Sequence, residues 1–268
     1  MTMLDNIRSA LFLPASNPRA IEKARGLACD LVILDLEDAV ADADKDSART
    51  AAVTAADGTW GERLLAVRLN GRGPWHDADL AALAGLSAID LIVVPKVETP
   101  EYAEALAGRL ARPLLAMIET PSGIYAARDI AGVAGVVGLL AGSNDLTSAL
   151  RLPGGRAGLT LALQSIVLAA RAAGIAAFDG VFNRLDDPQA LEVDCIAGRA
   201  MGFDGKSLIH PNQIDVANAV FGPSAEELEE ARALIAAATG GAERFRGRMI
   251  EAMDVDAARH ALRRAGLA

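Results

Sequence analysis

Glu119 and Asp145 are the residues of this chain best suited to hold a hard divalent cation, since each lies at or just past the end of a short apolar run. An oxygen-only pair of that kind suits Mg2+ or Mn2+, with water and substrate filling the other positions. A zinc site is not indicated: His76, His210 and His260 are the only histidines, and they form no cluster with the cysteines. Arg68, in Arg68-Leu69-Asn70, carries a planar fork that can grip a substrate carboxylate through two parallel hydrogen bonds. Asp35-Leu36-Glu37-Asp38 adds further carboxylates. Glu37 joins Arg68 in the expected catalytic set, and Asp38 is placed behind it, orienting Arg68, a metal-bound water or Lys96. Only four lysines occur, and two of them, Lys96 and Lys206, also follow or end apolar runs. Either could form a Schiff base, as in metal-free aldolases. The acidic pair fits a metal-dependent route better, so a structural ion pair of Lys96 or Lys206 with Glu37, Asp38 or Asp179 is the expectation.

Groups so far apart in sequence need a scaffold that brings them to one place. Short apolar runs recur at 10–13, 31–36, 64–69, 91–94, 114–118, 136–140, 175–178 and 205–209, each followed by a helical pattern. Eight strand–helix repeats without hairpin signals predict parallel strands joined by crossover helices. The expected fold is α/β, a closed (β/α)8 TIM barrel with a C-terminal helical extension. The run Pro14-Ala15-Ser16-Asn17-Pro18 after the first strand is not the glycine-rich turn of an open dinucleotide-binding sheet. In such barrels chemistry sits at the C-terminal ends of the strands. That rule gathers the ends of strands two to eight, Asp179, Lys206 and His210 included, at one rim. The barrel is expected over 1–221. The extension, 222–268, holds helical stretches at 225–238 and 255–265 and should pack on the barrel or on a neighbouring subunit.

The 268 residues suit one such barrel, and 52% hydrophobic content supplies its core. A net charge of -9 with no basic run argues against nucleic acid and anionic membranes as partners. The cytoplasm is the expected location: no stretch approaches a membrane span, and Cys29 and Cys195 read as buried free thiols in helix-like stretches.

The ordered motifs Arg8-Ser9-Ala10-Leu11-Phe12-Leu13-Pro14, Leu34-Asp35-Leu36-Glu37-Asp38-Ala39-Val40, Arg68-Leu69-Asn70-Gly71, Pro95-Lys96-Val97-Glu98, Ile118-Glu119-Thr120, Gly142-Ser143-Asn144-Asp145-Leu146 and Gly202-Phe203-Asp204-Gly205-Lys206 with Ile209-His210-Pro211 span nearly the whole chain. In this it resembles the citrate lyase β-subunit family, part of the HpcH/HpaI aldolase/citrate lyase superfamily that includes malyl- and citramalyl-CoA lyase relatives. The resemblance implies a Mg2+-dependent carbon–carbon lyase acting on citryl, malyl or citramalyl thioesters. Glu119 and Asp145 would be metal ligands, Arg68 the carboxylate anchor, and Gly142, Ser143 and Asn144 substrate-binding residues. Asp38 stands where related pyruvate-type aldolases carry His, which favours the thioester branch. Glu251, in Gly247-Arg248-Met249-Ile250-Glu251, stands where relatives place an acid/base Asp. The resemblance also implies a homo-oligomer, a trimer or a multiple of one. A citrate lyase β subunit serving an acyl-carrier partner, and a non-catalytic 2-oxoacid binder, are the alternatives.

Overall fold

The computed structural model of the protein describes residues 3–267. Eight parallel strands close into a barrel in sequence order: β1 (Ser9–Pro14), β2 (Leu31–Asp35), β3 (Leu64–Arg68), β4 (Leu91–Val94), β5 (Leu114–Ile118), β6 (Val136–Ala141), β7 (Ala176–Asp179) and β8 (Gly205–Leu208). Closure runs through β1 and β8, with Ser9 opposite Lys206 and Leu11 opposite Leu208. The expected barrel is therefore present.

Helices α1 (Pro18–Ala24), α2 (Lys45–Ala56), α3 (His76–Leu83), α4 (Pro100–Leu110), α5 (Pro121–Ala131), α6 (Ser143–Ala149), α7 (Thr160–Ala173), α8 (Pro188–Met201) and α9 (Ile214–Phe221) connect or follow the strands. Four of them start with one device. Asn17, Thr99, Thr120 and Asp187 each accept a hydrogen bond from a first-turn amide, and a proline follows at the first helical position. The cap satisfies an orphan donor, and the proline has no donor to leave unsatisfied.

Side chains alternate across each strand. Ala10, Leu31, Ile33, Ala66, Leu91, Val93, Leu115, Met117, Leu140 and Phe178 fill the barrel interior, with Leu4 and Ile7 packed against them. Val32, Leu34, Leu65, Val67, Ile92, Leu114 and Leu139 face the helices in the larger cluster.

Beyond α9 lie α10 (Ala225–Ala237), β9 (Glu243–Phe245), β10 (Arg248–Ile250) and α11 (Ala252–Arg264). Ala231, Leu234, Ile250, Ala258 and Leu262 form a small core of their own. The β9–β10 hairpin was not expected. Its turn, Arg246-Gly247, has positive φ at both residues, the backbone twist that favours two-residue hairpins. Arg264 donates to the carbonyl of Asp204 just before β8, and Arg199 pairs with Glu227. The extension thus packs near the N-terminal end of β8, away from the rim that carries the polar strand ends.

Both cysteines are buried and free. Cys195 lies in α8, but Cys29 lies in the loop before β2, not in a helix. Burial pushes their thiols up to about 11 for Cys29 and about 12 for Cys195. Among the described residues no helix is long and apolar enough to cross a membrane.

Candidate active site

The period-two alternation of the strands decides which end residues meet. Ile33, Ala66 and Met117 point inward, so Asp35, Arg68 and Glu119, two residues further on, also point inward at the C-terminal mouth. A cavity of about 320 Å3 opens there. Arg68, Glu119, Asp145 and Asp38 line it, together with Gly142, Ser143 and Asn144. Phe12, Met117 and Leu140 form its apolar floor and wall.

Glu119 is 3% exposed. Ile118 pairs with Ala141, which sets Glu119 level with Gly142 on the neighbouring strand. A Cβ at Gly142 would lie 2.2 Å from the Glu119 Cβ and 2.3 Å from its Oε2, so only glycine lets the two strand ends approach this closely. Asp145 follows in the first turn of α6, its side chain 41% exposed and turned to the cavity. Burial, then the charges of Glu37 and Asp145, push the Glu119 carboxyl up to about 7, against a hydrogen bond from the Lys96 backbone N–H.

Arg68 is 7% exposed. Its Nε and Nη2 both donate to Asp35, at 2.5 Å each, and its Nη1 donates to Asp38 at 3.2 Å. Burial opposes the guanidinium charge, but the Asp35 bonds and the neighbouring carboxylates outweigh it and hold the charge on. Asp35 also accepts from the backbone N–H groups of Glu37 and Ala39, so the turn carrying Glu37 and Asp38 is built on it. The sequence reading left Asp35 out of the site. Its place shows only in the barrel, where it shares the inward parity of Arg68 and lies directly opposite it in register.

Glu37 lies 3.1 Å from Arg68 Nη1 and 3.0 Å from Lys96 Nζ. Its Oε2 is buried without a hydrogen bond despite the nearby guanidinium. Burial raises its pKa, partly offset by Arg68. Lys96 adopts φ +50, an unusual conformation for a bulky residue. In that conformation its backbone N–H reaches Glu119 while its Nζ lies 3.0 Å from Glu37 and 3.5 Å from Asp145. One residue thereby touches three carboxylates, a use of local strain common at functional sites. Burial lowers the Lys96 pKa, but Glu37 overrides it and raises it. A Schiff-base lysine needs the opposite shift.

Four of the residues expected near the mouth do not line the cavity. Asp179 and Lys206 have outward parity and form a buried ion pair at 2.8 Å beneath α8, because Phe178, the residue before Asp179, is the one that faces the barrel interior. His210 caps the short turn Pro211–Gln213. Glu251 does not line the mouth. It is the exposed N-cap residue of α11, and its backbone N–H donates to the Asp254 carboxylate at 2.9 Å.

A magnesium ion fits this arrangement. Among the described residues no group of three or more His, Cys, Asp or Glu is arranged to cage a metal. Mg2+ does not need one: it commonly binds one or two carboxylates and keeps water or substrate oxygens as its other ligands. Burial and two neighbouring carboxylates make the charge on Glu119 costly, and a cation there would offset that cost.

The family profile for HpcH/HpaI aldolase/citrate lyase matches residues 8–211, which include every cavity-lining residue named above. The chain belongs to the HpcH/HpaI aldolase/citrate lyase family. Over 235 residues, 86% of this chain and 82% of the relative, it is 45% identical to a (3S)-malyl-CoA thioesterase of Cereibacter sphaeroides. It is 36% identical to the citrate lyase subunit beta of Leuconostoc mesenteroides subsp. cremoris, covering 86% of this chain and 82% of that one. Among solved structures it is similar to protein CitE of Mycobacterium tuberculosis in complex with magnesium, acetoacetate and coenzyme A. The TM-score is 0.83 at 36% identity, over 96% of this chain and 97% of that one. CitE has also been solved with magnesium and pyruvate.

Proposed function

We propose that this family member is a Mg2+-dependent carbon–carbon lyase. Its substrate would be a 3-hydroxy-3-carboxy acyl thioester of the malyl-, citramalyl- or citryl-CoA type, cleaved to a 2-oxoacid and an acetyl thioester. The observation that carries this reading is the pairing, in one cavity, of buried Glu119 and half-buried Asp145 with the fixed guanidinium of Arg68. Glu119 and Asp145 would hold the ion. Bound there, it would supply Lewis acidity that favours loss of the substrate hydroxyl proton. Arg68, locked on Asp35, keeps its Nη1 edge for the substrate carboxylate. That edge lies 3.1 Å from Glu37 and 3.2 Å from the exposed Asp38. Glu37 and Lys96 fix the charges around this edge.

In the cleavage the hydroxyl oxygen gives its proton to water in the open cavity and the new carbonyl forms. The bond from the carbinol carbon to the thioester α-carbon breaks, and its electron pair leaves as the thioester enolate. The α-carbon then takes a proton from an acid. We assign that acid to Glu251. Its own mouth does not hold it, so it would act over the mouth of another copy, within a homotrimer or a multiple of one.

A second reading is favoured by the 45% identity to a malyl-CoA thioesterase: hydrolysis of the thioester to the free hydroxy acid and CoA. One assay separates the two. Malyl-, citramalyl- and citryl-CoA are each incubated with Mg2+, and 2-oxoacid and free thiol are measured in parallel. Mg2+-dependent 2-oxoacid without thiol supports the lyase. Thiol without 2-oxoacid supports the hydrolase. Neither product from any of the three overturns both readings for CoA thioesters.

A further inference from the structure

The pair formed by Asp179 and Lys206 belongs to a larger buried charge cluster outside the cavity. Lys206 Nζ donates to Asp179 Oδ2 at 2.8 Å, to Asp194 Oδ2 at 2.6 Å and to the Gly180 carbonyl at 2.6 Å. Arg156 grips both oxygens of Asp179, at 2.9 and 3.1 Å, and reaches Asp194 at 3.3 Å. Two positive and two negative side chains are thus neutralised against each other. They come from β7, β8, α8 and the segment between α6 and α7.

Stability alone does not account for such a cluster, since well-packed apolar residues commonly do as well in its place. What it does specifically is fix directions. The Asp179 carboxylate also accepts from the Gly180 N–H at 2.9 Å, so the first residues after β7 are held from both backbone groups of Gly180. Ser143 rests directly on that point. A Cβ on Gly180 would lie 2.4 Å from the Ser143 Oγ, and the hydroxyl contacts the Val181 carbonyl at 3.5 Å. Next to it Asn144 and Asn183 exchange amide hydrogen bonds, at 2.7 and 3.4 Å. On its other side the same segment is pressed against Glu119 at Gly142. The first turn of α6, with Asp145, is therefore clamped between the Glu119 strand end and the loop that the charge cluster anchors. Arg156 holds the far end of the α6 connection to the same anchor.

We infer that Arg156 and Asp194 are positioning residues whose cluster, acting through Gly180 and the Asn144–Asn183 pair, sets the place of Asp145 and thereby the affinity for the divalent cation. This rests on the reading of Glu119 and Asp145 as the cation site. The difference from a purely structural cluster is measurable without turnover. Mn2+ binding is followed by electron paramagnetic resonance on the purified protein, with thermal unfolding measured on the same samples. Arg156→Gln is expected to weaken Mn2+ binding by about 10-fold or more, the range typical of losing a group that orients a metal ligand. Arg156→Lys should recover part of it. Asn183→Ala, at an exposed residue outside the cluster, should weaken binding several-fold with an unchanged melting temperature. It decides the matter if Arg156→Gln does not fold. Arg199→Gln, which breaks an exposed ion pair on α8, should leave Mn2+ binding as in the parent chain. Arg156→Gln with lowered melting temperature but unchanged Mn2+ affinity, or Asn183→Ala with unchanged affinity, would overturn the inference. Failure of its basis looks different: the parent chain would bind no Mn2+, or Glu119→Gln would bind it undiminished.

Discussion

Replacing Glu119 by Gln should make the metal-free protein more stable while removing the proposed cation site. Unfolded Glu loses its proton near 4.5, whereas buried Glu119 holds its proton to about 7. Between those values the native state carries a proton that the unfolded chain has released. Stability therefore falls as pH rises through this window, and stays reduced above it. At about 1.4 kcal/mol for each pKa unit, the loss approaches about 3 kcal/mol above pH 7. The glutamine side chain has the same shape, can accept the Lys96 N–H that Glu119 accepts, and never ionises. The variant should match the parent near pH 4.5 and exceed it by up to about 3 kcal/mol at pH 8.5, roughly 5–10 °C in Tm for a chain of this length. Melting curves in EDTA at the two pH values test this. Adding Mg2+ at pH 8.5 should then raise the melting temperature of the parent only, since a ligand stabilises only the state that binds it. A gap absent at pH 8.5, or of equal size at both pH values, would refute the argument that ionising Glu119 in this cavity is costly without a cation.

Arg68→Lys keeps the charge but loses the fork that Asp35 holds, and should cost on the order of 2–4 kcal/mol in kcat/KM; unchanged turnover would count against the carboxylate anchor. Glu251→Gln should leave cation and 2-oxoacid binding intact yet slow exchange of the acetyl-thioester methyl protons by roughly 10²-fold or more. If Glu251 is only a helix cap, exchange will be unchanged. In a trimer that shares its sites, mixing Glu251→Gln chains with Asp145→Asn chains should restore part of the activity. A monomer at micromolar concentration in analytical ultracentrifugation would exclude that arrangement. Cys29 and Cys195, with thiols pushed up to about 11 and about 12, should resist a thiol reagent at pH 8 until the protein is unfolded. Labelling at the rate of a free thiol would contradict their burial.

The barrel itself was legible in the chain because its signals are local. Eight apolar runs separated by amphipathic stretches leave parallel pairing with crossovers as the economical solution, and β4 and β5 coincide with runs read directly from residue type. The cavity positions of Arg68 and Glu119 were legible for a related reason: a polar residue at or just past the end of an apolar strand has its place fixed by the strand, and Asp145 follows β6 within the first turn of α6. Facing is set by parity, which the position of a residue at a strand end does not reveal without a reference side chain. Asp35 therefore goes unassigned although it is Arg68's main partner, and Asp179 and Lys206 face the helices rather than the cavity, in the structural ion pair that their residue types had offered. The tail hairpin was missed because its strands are three residues each, too short for an alternation to show, although its Arg246-Gly247 turn carries the conformational signal. Other features depend on contacts between residues far apart in sequence: the three carboxylates around Lys96, the Gly142 approach to Glu119, and the four-charge cluster that draws its members from between Arg156 and Lys206. The sequence by itself determined which strands form and which chemical groups they carry to their ends. Only the closed barrel, by rotating each strand to a fixed side and bringing its neighbours within hydrogen-bond reach, decided which of those groups share one cavity and which neutralise each other beneath the helices.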